Sequence, residues 1–471
     1  MTIDEVAVTP ATLDRAVRAV DVWAGCAHRL THAEAALIAS PPFQRLRRLR
    51  QMGLAFHAFP NAENTRASHS LGVAYWSAAY LDALRAAPGE ATRAGLAEAA
   101  AALDGLSFDV VLRLFGLLHD IDLLPLGHTL RYQSGLFTEP PGRPRLRACV
   151  DGIRAYAEAH APGDAWFTAF DRHLSAGAEL LAAEGADGLR LPVELVNSGL
   201  GADLVDFALR DSFAITRQQA FHDDLAGALR LVAIDGGYGL ALDVADPTTA
   251  AHRVAIADDL YRARFEVFAA SVFHPVKLAA DAMLDLALRR LGPELCSTLL
   301  PEDWLIGAGD DQLVERVAAA EGPIAQRLGA ASVVAALQAG DLHEEVWRTE
   351  DLAAFRRHPA SARALALDPT WRDEAEGALR DRLPWAEPGD VIVAVSPPTM
   401  QAKPANARFV RADGAVFTLA EAAAHGYDTE AGGTARRYEQ LWSLRVYVAP
   451  RRRGEAGAAA AAARSLYGDG A

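Results

Sequence analysis

Between Phe108 and Leu130 apolar residues crowd every face of FDVVLRLFGLLHDIDLLPLGHTL, too densely for a surface helix. The pattern predicts a central buried helix running to about His119, broken afterwards by Pro125 and Gly127. Upstream, THAEAALIASPPFQRLRRLR reads as a short helix, a break at Pro41 and Pro42, and a second amphipathic helix bearing Arg45, Arg47, Arg48 and Arg50. NAENTRASHSLGVAYWSAAYLDALR begins as a polar loop and becomes helical near Arg66, which places His69 in a first helical turn. Further helices are predicted over Trp166–Ala183, Leu204–Phe213 and Ala250–Leu291.

Past roughly Leu300 the periodicity shortens and then alternates, in DVIVAVS, ARFVRADGAVFTL and LWSLRVYVAP, as half-buried strands do. The expected architecture is mainly α: a helical domain over 1–295, a smaller C-terminal α+β appendage over 296–453, and an Ala-rich tail over 454–471 that is a frayed helix or disordered. A length of 471 residues suits two to three domains, or one large domain with appendages. Aromatic residues make up only 7% of a chain that is 51% hydrophobic, and Ala supplies much of the rest, which favours helices over a β-sandwich.

A net charge of -15 argues against coating nucleic acid, whose affinity comes from clustered Lys and Arg. Cys26, Cys149 and Cys296 are far apart and form no CxxC pair, so reduced thiols are expected rather than a disulfide framework or a thiolate zinc site. MTIDEVAVTP lacks the apolar core of a signal peptide, and no stretch offers about 18 uninterrupted apolar residues. A cytoplasmic location without a membrane partner is the resulting expectation.

Chemistry concentrates at His119-Asp120, where an apolar helix ends. A carboxylate buried there alone would cost several kcal/mol, so it needs a hydrogen-bonded cation or a metal. Imidazole nitrogen with carboxylate oxygen suits Mn, Fe, Zn or Co, and with bridging waters Mg. His69 lies about fifty residues upstream in RASHSLGV, and ADLVDFALRD about eighty-five downstream.

In order and spacing, FQRLRRLRQMG, FPNAENTRASHSLGV, LLHDIDLLPLGH, DLVDFALRD and ARFEVFAASVFHPVK resemble the HD-domain dNTP triphosphohydrolases, over roughly Ala27 to Leu291. The resemblance implies a divalent metal held by His69, His119, Asp120 and Asp203. It also implies that Gln51 and Asp211 face a deoxyribose 3'-hydroxyl, that Arg66 and Arg264 hold phosphates, and that His128 and His173 act in catalysis, His128 as proton donor to the leaving oxygen. Guanidinium forks suit phosphate because they donate in a fixed bidentate geometry.

The chain also departs from the family. Leu123 stands where a typical member has a His four residues after the metal His, and Asp122 replaces a Gly. Arg131 takes the place of an orienting Asp, while Leu204, Phe207 and Val272 take those of a phosphate-binding Lys and two Tyr. Loss of one acid or base group costs about a hundred- to ten-thousandfold in rate.

The implied activity is hydrolysis of a dNTP to deoxynucleoside and triphosphate. The alternatives are hydrolysis of another small phosphorylated substrate and catalytically weak nucleotide binding for regulation. A homo-oligomer is expected on general symmetry grounds.

Overall fold

A computed structural model of the chain describes residues 13, 16–23, 26–127, 129–130, 137, 142–182, 190–215, 225–320, 329–366, 368–396, 405–430 and 433–468. The protein is mainly α with smaller α+β parts. Strands β1 (Ala16–Trp23) and β2 (Cys26–Thr31) form an antiparallel hairpin. Thr31 and Glu34 then close a capping box that starts α1 (His32–Ala39). Pro41 opens a new turn, α2 (Pro41–Arg45), because a first-turn N–H has no helical partner to lose. The expected second helix is thus one α-turn continued by a 3-10 turn over Leu46–Arg48.

The first core is built by α3 (Arg66–Ala86), α4 (Glu90–Ala101), α5 (Phe108–Leu118), α6 (Pro144–His160), α7 (Asp164–Ala182), α8 (Arg190–Asn197) and α9 (Ala202–Ala214). As the apolar density predicted, α5 is central: its Val111 and Phe115 face one cluster and its Leu114 and Leu117 another, all fully buried. Burying each such side chain stabilises the fold by about 1.5–3 kcal/mol. Gly116 lets α5 approach the α3 backbone closely, since a Cβ there would sit 3.1 Å from the Ala74 Cα.

Two further strands, β3 (Leu229–Ile234) and β4 (Gly237–Asp243), precede α10 (Pro247–Val267). The predicted helix Ala250–Leu291 is in fact two helices: a π-turn over Phe268–Val272 ends the first, and His274 caps α11 (Pro275–Leu299). A second core gathers on α11, with α12 (Asp310–Ala318) and α13 (Ala330–Ala339). A three-stranded antiparallel sheet carries a further cluster: β5 (Glu344–Thr349) and β6 (Val391–Val395) flank β9 (Leu444–Val448), with α14 (Pro369–Arg380) between β5 and β6 in sequence.

The expected boundary at 295/296 follows closely on a break in α11 at Gly292 and Pro293. The hairpin β7 (Arg408–Val410) and β8 (Val416–Thr418), expected in the C-terminal appendage, returns to the first core, β7 lying parallel to β4 through Leu242 and Phe409. The Ala-rich tail is a packed helix, α15 (Ala456–Tyr467), whose Ala459 and Ala463 are buried against the second sheet's cluster. Cys149 and Cys296 are buried thiols outside any disulfide. Among the described residues no single helix is long and apolar enough to cross a membrane.

Candidate metal centre

Three helix ends meet where the chemistry was expected. Thr65 caps α3 through the Ser68 amide, and His69 follows in the first turn. His119 closes α5 as its C-terminal cap. Asp203 is in the first turn of α9, whose start is fixed by Gly201. One ligand atom from each of His69, His119 and Asp203 lies within 4.8 Å of the others, and the two imidazole rings meet edge to face at 5.0 Å.

The hydrogen bonds fix how these rings present themselves. His119 Nδ1 donates to the Gly116 carbonyl at 2.8 Å, which leaves Nε2 to face the cluster. Among the described residues that Nε2 is buried without a hydrogen-bond partner, and it lies 3.4 Å from Asp120 Oδ2. Two imidazoles and a carboxylate within reach of one point are a donor set that fits a divalent metal ion.

His69 Nδ1 bonds Asp206 Oδ2 at 2.8 Å, and its Nε2 lies 3.2 Å from Asp203 Oδ1. Asp206 is in turn gripped by Arg210, from Nε at 2.8 Å and Nη2 at 2.9 Å. This carboxylate behind a histidine orients the ring and raises its basicity, as in metal sites generally. Burial lowers the His69 pKa, but the hydrogen bonds and charges of Asp203 and Asp206 outweigh it and raise the pKa to about 10 in the metal-free protein. Gly72 makes room for the arrangement: a Cβ there would fall 1.7 Å from Asp206 Oδ1.

Asp120 adjoins the cluster and already has a cationic partner. Arg66 Nη1 donates to its Oδ2 at 2.7 Å, while Nη2 donates to the Gln51 carbonyl at 3.0 Å. Burial would raise the Asp120 carboxyl, yet His119, Arg66 and His69 pull it well below the ordinary carboxylate range. Asp120 therefore does not itself demand a metal, and the stronger pointer is the unpartnered His119 nitrogen.

Gln51 and Asp211 come together through Asn64, whose carbonyl accepts from the Gln51 amide at 2.8 Å and whose Nδ2 donates to Asp211 Oδ1 at 2.7 Å. Among the described residues, Gln51 Oε1, Asn64 Oδ1 and Asp211 Oδ2 are buried without hydrogen-bond partners. Burial pushes the Asp211 carboxyl up to about 6, against the pull of His69, Asn64 and Arg66.

The remaining expected residues fare differently. His128 and Arg131 lie outside the described residues. His173 is corrected: its Nδ1 donates to the Ala169 carbonyl and its Nε2 accepts from the Ser107 amide, so both nitrogens serve backbone. That contact is at the start of α5, about 18 Å along the helix from His119. Arg264 donates to Tyr438 at 2.8 Å and stacks 4.5 Å over Phe268, with no contact to the cluster among the described residues. Asp122 pairs with Arg143 at 2.7 Å, and Leu204 is buried in the first core.

Sequence reasoning missed Asp206, Arg210, Asn64 and Gly72. A signal existed for the first two, since Asp203, Asp206 and Arg210 share one face of a helix that is otherwise largely apolar.

No family model matches the chain. It is 25% identical over 261 residues to an uncharacterized protein of Methanocaldococcus jannaschii, an alignment that covers 55% of this chain and 46% of the archaeal protein. The chain thus spans about half the length of the curated relative it matches.

Proposed function

We propose that the protein is a metal-dependent phosphohydrolase acting on nucleotides, of the dNTP triphosphohydrolase type that its HD-like segments suggest. The observation carrying this reading is the His69, His119 and Asp203 cluster, with one imidazole nitrogen buried and unpartnered. A bound divalent metal supplies Lewis acidity toward a phosphoryl oxygen and an acidified water. Around it Asp206 and Arg210 hold His69 in one orientation, and Arg66 places a guanidinium beside the cluster where phosphate charge would develop. Gln51, Asn64 and Asp211 offer acceptors to substrate hydroxyls. By the resemblance alone, His128 is the candidate proton donor.

One observation favours a smaller phosphoester as substrate. Among the described residues Arg264, expected on the phosphates, bonds Tyr438 and makes no contact with the cluster, and Leu204, at the expected position of a phosphate-binding Lys, is sealed in the core. Chromatography of products from a nucleotide panel with Mn, Fe, Co, Zn or Mg separates the readings. Free triphosphate from a dNTP supports the first, orthophosphate or pyrophosphate the second, and saturable binding without turnover a nucleotide-sensing regulator. Turnover that persists in Asp203→Ala would contradict a metal-dependent reaction at this site.

A further inference from the structure

We propose that Asp310 is a positioning residue for the metal centre, reaching from the second core to hold the turn that follows His119 and Asp120 and to tie it to the Gln51 segment. The turn is conformationally costly. Leu126 has φ +56° and Gly127 φ +40°, and left-handed backbone is disfavoured for a residue with a Cβ. A turn of this kind persists only where its surroundings over-determine it.

Asp310 provides that determination. Its Oδ1 accepts from the Leu126 amide at 2.6 Å, and its Oδ2 accepts from the Arg50 amide at 2.7 Å. Arg50 also bridges to Thr65, the cap of α3, and precedes Gln51, whose carbonyl receives Arg66. One carboxylate on α12 therefore joins two segments more than 180 residues upstream: the turn that follows Asp120 in the chain, and the Gln51 segment, whose carbonyl accepts from Arg66, the cationic partner of Asp120. Leu124 and Leu126 are seated in the second core with α11, and Thr129 donates to Asp281 of α11 at 2.8 Å.

Asp310 is itself fully buried. Burial pushes its carboxyl up to about 6 even though the Leu126 and Arg50 amides and the Arg50 guanidinium favour the charged form. An apolar residue would fill the space without that penalty, which argues that the two amides are what the carboxylate serves.

This inference concerns the geometry of the centre proposed above, so its test is read without substrate. Full-length wild type, Asp310→Asn and Val334→Ala are compared in the metal-free state by hydrogen exchange, and in Mn2+ titrations. Val334 is buried in the same core on α13 and offers no polar group to the Leu126 or Arg50 amides, so it controls for lost packing.

Asp310→Asn is expected to speed exchange of 121–127 at least about tenfold while the interior of α5 stays protected, and to weaken Mn2+ binding about 10- to 100-fold, the usual effect of removing an outer-shell support. Val334→Ala is expected to change neither. Exchange of 121–127 at the wild-type rate in Asp310→Asn, or an equal acceleration in Val334→Ala, would overturn the proposal. If the wild type takes up no Mn2+ and turns over no nucleotide, the phosphohydrolase reading fails, and the exchange result still decides the role of Asp310.

Discussion

Two ionic networks, both built on helices, differ in what they offer to a ligand. Along α11, Lys277 pairs with Asp281, and Asp285 is shared by Arg289 at 2.8 Å and Arg372 at 2.9 Å, with Glu376 on the far side of Arg289 at 2.7 Å. Three buried cations there meet three buried carboxylates. At the junction of α3, α5 and α9, Arg66 pairs with Asp120 and Arg210 with Asp206, while His69 lies between Asp203 and Asp206, which raise its pKa to about 10 in the metal-free protein. The first network serves the fold. The second brings two imidazoles and a partly exposed carboxylate within reach of one point, with His119 Nε2 unpartnered among the described residues, a donor set that suits a divalent cation.

The largest effect should come from breaking the first network. Asp285→Ala strands Arg289 and Arg372 in the core and is expected to cost about 3–5 kcal/mol of stability, measured by denaturant unfolding, with little change in metal affinity per folded molecule. Loss of metal binding by the folded variant would blur the distinction between the two networks.

At the His69, His119 and Asp203 cluster the pattern inverts. Asp206→Asn removes the carboxylate that orients His69 and is expected to weaken metal binding about 10- to 100-fold in a calorimetric titration. Unchanged affinity would show that the support behind His69 is dispensable.

The smallest effect is also the most specific to the site. A metal must displace the His69 Nε2 proton, and because Asp203 and Asp206 overcome burial to raise that pKa to about 10, metal affinity should climb up to about tenfold per pH unit across neutral pH. The stability that protonated His69 contributes to the metal-free protein is fully present below the unfolded value near 6.5 and is lost as pH rises through about 10. Melting curves between pH 7 and 10, with and without metal, check both signs.

His119 and Asp120 were legible in the chain because a His-Asp pair closing an apolar helix is costly to bury unless a cation meets it, whereas His69 and Asp203 entered through the resemblance. Their supports were hidden. Asp206 and Arg210 resemble an ordinary helical ion pair until α3 is seen to press Gly72 against them. Local pattern found β6, β7, β8 and β9 but not β7 beside β4, since a parallel pairing across more than 160 residues leaves no local trace. The tail misled because its burial uses small Ala side chains, which look the same in a packed helix as in a low-complexity stretch. His173 misled because a histidine that caps backbone and one that catalyses are the same letter.

Calorimetric titration of the metal-free protein with Mn2+, wild type beside His119→Ala, tests the central claim most directly. One ion bound per chain, lost when the unpartnered Nε2 is removed while the unfolding transition stays in place, is the predicted result. Equal binding by both proteins, or none by the wild type, would contradict it.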